Sequence, residues 1–186
     1  FSGSAPLPPE LIRWYRRLGL QLLEGYGMTE DNSLSHCADE RFSEPGCVGV
    51  PLPGVQVRIS PEGEVLIKSP GQCSGYYKQP ELSAASFTED GFFRTGDLGE
   101  RRADGQLKIT GRAKELFKTA KGKYVAPAPI ENRLLANPSI ELAMVSGVGQ
   151  PAAYALVVLA EDLRARLGTA GVRAEVQQRL DALLKE

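Results

Sequence analysis

Histidine is almost missing from this chain: His36 is the only one in 186 residues. A single imidazole beside Cys37 makes no second ligand pair, so His36 reads as part of an ordinary polar loop, not a metal centre. The three cysteines, Cys37, Cys47 and Cys73, lack metal-site spacing, and an odd count leaves one unpaired in any disulfide scheme. A reducing, cytoplasmic compartment is the expectation. No apolar run approaches the roughly 20 residues a membrane-spanning helix requires. Neither charge sign dominates: 22 basic and 23 acidic residues are interspersed, for a net charge of −1. That balance argues against nucleic-acid binding driven by phosphate attraction. The opening Phe1-Ser2-Gly3-Ser4 has no basic stretch and apolar core, so it does not read as a signal peptide. It also lacks an initiator methionine, and a start inside a longer protein is expected.

What is present is globular in character, with 42% hydrophobic and 24% charged residues. Residues 8–19 read as a helix opened by proline and stopped by glycine, with Leu11, Ile12, Tyr15 and Leu18 on one face. Residues 20–23 read as a short strand. Alternating segments at 56–60 and 64–68, joined across Pro61-Glu62-Gly63, predict a hairpin. A helical turn is expected at 82–87. A second hairpin is expected around Asp104-Gly105, between 98–101 and 106–110. Beyond Lys114 the pattern changes. A helix at 127–135 is stopped by Asn137-Pro138, buried strands are expected at 140–148 and 154–160, and amphipathic helices at 161–167 and 174–184. The expected fold is α+β: a β-rich part over 1–111 and a small α+β module over 112–186, with the boundary at 112–114.

Three glycine-punctuated segments carry chemistry. In Gly25-Tyr26-Gly27-Met28-Thr29-Glu30, Gly25 and Gly27 allow a tight turn and close approach to a ligand. Tyr26 offers a face for a purine, Thr29 a hydroxyl for a phosphate oxygen, and Glu30 a hard carboxylate for Mg²⁺. In Arg94-Thr95-Gly96-Asp97, the Asp97 carboxylate can accept from two vicinal hydroxyls at once, the grip a ribose needs. In Gly111-Arg112-Ala113-Lys114-Glu115-Leu116-Phe117-Lys118, Arg112 can reach the same ribose with its planar fork. Taken singly, each segment is also an ordinary turn, and the cluster of Lys118, Lys121 and Lys123 around Gly122 is also an ordinary solvated loop. Gly71-Gln72-Cys73-Ser74-Gly75 has the spacing of a nucleophile elbow but no helix after it and no histidine base, and reads as a loop. Trp14 reads as a packing residue or interface anchor.

Together with Lys121-Gly122-Lys123-Tyr124-Val125-Ala126-Pro127, these segments resemble the adenylate-forming (AMP-binding) superfamily, and within it the long-chain fatty acyl-CoA synthetases. The resemblance runs from about Gly3 to about Ala160. It implies the C-terminal part of the large nucleotide-binding domain followed by a small mobile C-terminal domain. It also implies a two-step ligase using ATP, Mg²⁺ and coenzyme A on a fatty acid. In that pattern Gly25, Tyr26, Gly27 and Thr29 bind the nucleotide, Glu30 the metal, and Asp97 and Arg112 the ribose. Lys114 falls at the hinge, a role that lets one pocket serve two steps by rotating a small domain. Lys118 faces the adenylate during thioester formation, and Gly122 lets the pantetheine arm pass.

Two parts of the family pattern are missing from the sequence. A Ser/Thr/Gly-rich loop ending in Pro-Lys-Gly is one, and a Gly-Lys near the C-terminus is the other. Lys185, in Leu183-Leu184-Lys185-Glu186, is not assigned that role. The expectation is a fragment of a ligase, inactive alone, with no transmembrane segment in this chain and with peripheral association with a membrane left open. Two alternatives stand beside it: an acyl-AMP ligase or adenylation domain that loads a carrier protein, and a non-catalytic binding module of the same fold.

Overall fold

Proline opens the first three helices, α1 (Pro9–Arg17), α2 (Pro80–Ser86) and α3 (Pro127–Leu135). Its fixed φ and missing N–H suit the first helical turn, where that donor has no partner within the helix. The structure, a computed structural model, describes residues 1–166, 168 and 171–183. It divides into two units, Phe1–Lys114 and Glu115–Glu186, a junction slightly beyond the 111/112 boundary read from the sequence.

In the first unit, β1 (Gly25–Tyr26), β2 (His36–Cys37) and β3 (Val50–Pro51) form a three-stranded antiparallel sheet in that order. A four-stranded meander follows, with β4 (Gln56–Ile59), β5 (Glu64–Lys68), β6 (Phe93–Arg101) and β7 (Leu107–Arg112) each paired to its neighbour in sequence. The hairpins expected over 56–68 and around Asp104-Gly105 are both present. The core is buried Val48, Val65, Ile67 and Leu107, with Tyr26 and Met28 packed against it. Burying such a side chain contributes about 1.5–3 kcal/mol. The backbone also crosses here, Val48 N–H to the Leu107 carbonyl at 2.9 Å and Leu107 N–H to the Gly49 carbonyl at 2.8 Å.

Two local expectations need correction. Residues 20–23 form no regular strand; Ser2 instead makes one parallel bridge to Glu24, donating to the Leu23 carbonyl and accepting from Gly25 N–H. On α1 only Ile12 is fully buried, while Leu11 and Leu18 are exposed and Tyr15 is half-buried. Trp14 on the same helix is 47% exposed and meets Tyr15 edge-on.

The second unit begins with a short hairpin, β8 (Phe117–Lys118) and β9 (Tyr124–Val125). After α3 come the antiparallel pair β10 (Ile140–Ser146) and β11 (Tyr154–Leu159), then α4 (Glu161–Arg166) and α5 (Val172–Leu183). Phe117, Leu134, Ile140 and Val145 are its main core, and Leu163 and Val176 form a smaller cluster with Leu159. Of the residues expected in the last helices, Leu167 and Leu184 lie outside the described residues, as does Lys185. Among the described residues no helix is long and apolar enough to cross a membrane.

Candidate functional site

The first and second glycine-rich segments meet at Asp97. The Tyr26 hydroxyl, carried on β1, donates to Asp97 Oδ2 at 2.6 Å. Arg112, at the end of β7, stands directly across the ladder from Asp97 and places Nε 2.8 Å from Oδ1. The Asp97 side chain is only 7% exposed while that of Arg112 is 62% exposed. A buried carboxylate thus carries one donor on each oxygen, and one of those donors opens to solvent. Burial, followed by the negative charge and hydrogen bond of Asp97, raises the Tyr26 phenol well above its ordinary range, so it stays a neutral donor.

Two glycines make this approach feasible. Gly96 sits at φ +72°, a left-handed conformation that side chains rarely take, and this kinks β6 just before Asp97. Gly27 is a matter of space: a Cβ there would lie 2.4 Å from the Ser33 carbonyl oxygen. Gly25, by contrast, faces the movable Phe1 ring.

Thr29 and Glu30 follow in a single 3₁₀ turn, Thr29–Asp31. Thr29 is exposed. Glu30 is half-buried, and its Oε1 accepts from the Tyr76 hydroxyl at 2.8 Å. That bond, more than burial, raises the Tyr76 phenol above its usual range. The Glu30 carbonyl accepts from Cys73 N–H at 2.7 Å, and the Ser69 hydroxyl donates to Asp31 Oδ1, so the loop over 69–79 is tied to the turn three times. A lone carboxylate of this kind suits Mg²⁺, which keeps most of its shell as water and phosphate oxygen. The structure therefore joins Tyr26, Asp97 and Arg112 in one group and gives Glu30 a separate partner, Tyr76.

In the second unit, Lys118 and Gly122 lie on the β8–β9 hairpin. Its turn is closed by Thr119 N–H to the Lys123 carbonyl and Gly122 N–H to the Thr119 carbonyl, both 2.9 Å. Lys118 Nζ lies 5.2 Å from the centre of the Tyr124 ring, and Lys118, Lys121 and Lys123 are all exposed. Lys114 is exposed in the 3₁₀ turn Ala113–Glu115, at the junction of the two units.

Comparison with known proteins gives this arrangement its context. A family model described as AMP-binding enzyme matches residues 1–77. The FadD15 long-chain-fatty-acid–CoA ligase of Mycobacterium bovis is 42% identical over 158 residues, covering 85% of this chain and 26% of its own length. The chain belongs to the AMP-binding, adenylate-forming family. The sulfoacetate–CoA ligase of Cupriavidus necator, another relative, is 37% identical over 96% of this chain and 38% of its own length. Among solved structures, the o-succinylbenzoate CoA synthetase of Bacillus subtilis in complex with its acyl-adenylate superposes with a TM-score of 0.78 at 29% identity. That match covers 86% of this chain and 36% of the synthetase; the same enzyme is also solved with ATP and magnesium ion. The chain thus spans about a quarter of the length of the FadD15 relative.

Within this AMP-binding chain, the reading of His36 as part of a polar loop needs correction: it lies on β2 opposite Tyr26, fully buried, with Nδ1 3.0 Å from Ser35 Oγ and Nε2 unpartnered. Burial and then the charge of Arg101 lower its pKa to about 4, so the ring is neutral. Tyr76, Glu64 and Thr95 are likewise part of the support. Tyr76 had a faint signal, an aromatic after Gly75; Glu64 looked like an ordinary strand residue, and Thr95 lay in the Arg94–Asp97 segment without a role of its own.

Proposed function

We propose that this AMP-binding chain is part of a fatty acid–CoA ligase that works through an acyl-adenylate. The supporting observation is Asp97, a buried carboxylate whose two oxygens are held by Tyr26 and Arg112. A ribose diol can take over the Arg112 side of that carboxylate, because Arg112 is the solvent-exposed partner. Tyr26 then keeps Asp97 oriented while its ring offers a face to the purine. Thr29 donates to an α-phosphate oxygen. Mg²⁺, bound through Glu30, would neutralise charge on the phosphates.

In the first step a fatty carboxylate oxygen attacks the α-phosphorus and pyrophosphate leaves. In the second the coenzyme A thiol, giving up its proton, attacks the acyl carbon and AMP leaves. The first step needs positioning and charge neutralisation more than covalent chemistry by the protein. Lys118 and Gly122 serve the second step, and Lys114 is the pivot between the two. The FadD15 relative supports a long-chain fatty acid as the substrate class.

The test uses the complete gene product with ATP, Mg²⁺, coenzyme A and fatty acids of graded length. AMP, pyrophosphate and acyl-CoA should form together, and Asp97→Ala should weaken ATP binding by roughly 2 kcal/mol, the worth of a charge-assisted hydrogen bond. Formation of ADP instead of AMP, or unchanged ATP affinity in the variant, would overturn the reading.

A further inference from the structure

We propose that Glu64 is a positioning residue that holds the Asp97 carboxylate in place through the backbone of Gly96. The inference rests on the reading of Asp97 as the ribose ligand and adds the group that sets its position.

The argument starts from the register of β5 and β6. Leu66 pairs with Arg94 and Glu64 with Leu98. Between those pairs β5 has one residue, Val65, while β6 has three, Thr95, Gly96 and Asp97. The surplus is a bulge, and its function is to re-aim side chains. Here it points Asp97 at Tyr26 and Arg112.

Packing does not hold Gly96 in the bulge: a Cβ there would find no atom within 4 Å. Hydrogen bonds hold it instead. Gly96 N–H donates to Glu64 Oε1 at 3.0 Å. The Thr95 hydroxyl donates to the Val65 carbonyl at 2.7 Å and accepts from Asp97 N–H at 3.0 Å. Glu64 is itself anchored: its Oε2 lies 3.3 Å from Arg94 Nη1, and its side chain is 18% exposed.

Side-chain direction in a strand alternates residue by residue, so any slip of the bulge turns Asp97 away from Tyr26. An acceptor at position 64 blocks that slip by tying the left-handed Gly96 to the neighbouring strand. The negative charge of Glu64 serves Arg94; the oxygen facing Gly96 is what the bulge needs. An amide oxygen at that place would do the same.

The experiment measures the affinity of the complete gene product for ATP and for 2′,3′-dideoxy-ATP by calorimetry. Wild type should prefer ATP by about tenfold or more, as a charge-assisted hydrogen bond implies. In Glu64→Ala that preference should fall to within about threefold of unity, while Glu64→Gln should keep it. A merely structural role would weaken both nucleotides alike and leave the ratio intact, and that outcome overturns the proposal. Loss of the ratio in Glu64→Gln as well would also overturn it, because charge and not the acceptor would then matter. Should Glu64→Ala not fold, Thr95→Val decides, with the ratio lost if the bulge sets Asp97 and kept if it does not. Asp97→Ala separates the two levels: if it retains the diol preference, the ribose reading fails. If it loses the preference while Glu64→Ala keeps it, the positioning role alone fails.

Discussion

His36 is the residue whose burial has the plainest thermodynamic consequence. Its ring is neutral in the fold, with a pKa near 4 against the ordinary 6.5. The unfolded chain therefore binds a proton between those values that the folded chain refuses. Stability should fall as pH drops from about 6.5 towards 4, by about 3 kcal/mol over the whole window. Denaturant midpoints measured at pH 7 and pH 4.5 should diverge in the wild type. In His36→Gln that part of the divergence should vanish, and an unchanged acid limb would mean that other groups set it. The neighbouring Asp97 contact illustrates a different economy at the same scale. Arg112 is too exposed for its ion pair to add more than about 1 kcal/mol to folding, so its value lies in being displaceable by a ligand.

At the scale of elements, the two glycines of the site predict unequal penalties. Gly96→Ala meets open space and incurs only the left-handed backbone strain, about 1–2 kcal/mol. Gly27→Ala drives a methyl into the Ser33 backbone, which cannot rotate away, and should destabilise the first unit by more. Thermal melts of the two variants, with equal shifts as the contrary result, check the order. Much of this layer was legible in advance. The helix over 127–135 has the bounds expected from Pro127 and the Asn137-Pro138 stop, because local chemistry alone decides such ends. The strands around Asp104-Gly105 were legible for the same reason. The bulge was not, since it exists only in the register of β6 against β5, and Thr95 and Glu64 reveal their work only there. Residues 20–23 misled because Leu20 N–H bonds back to the Tyr15 carbonyl and only Leu23 meets a bridging partner, Ser2, remote in sequence. The letters of Tyr26, Asp97 and Arg112 suggested one ligand; their mutual hydrogen bonds needed the fold.

At the scale of the whole molecule, the chain spans about a quarter of its FadD15 relative, and the large expanse of that enzyme has no counterpart here. These 186 residues alone are expected to make no acyl-CoA from ATP, coenzyme A and palmitate; measurable turnover by the purified chain is the result that refutes this. The two units also differ in how they present apolar surface. On the pair β10 and β11, Leu142 lies opposite Val158 and Met144 opposite Leu156, all of them exposed. Trp14 leads to a practical point. It is the chain's sole indole, it sits on α1, and it is half open to water beside Tyr15. Its fluorescence therefore follows the melting of the first unit, the part of the polypeptide that carries it.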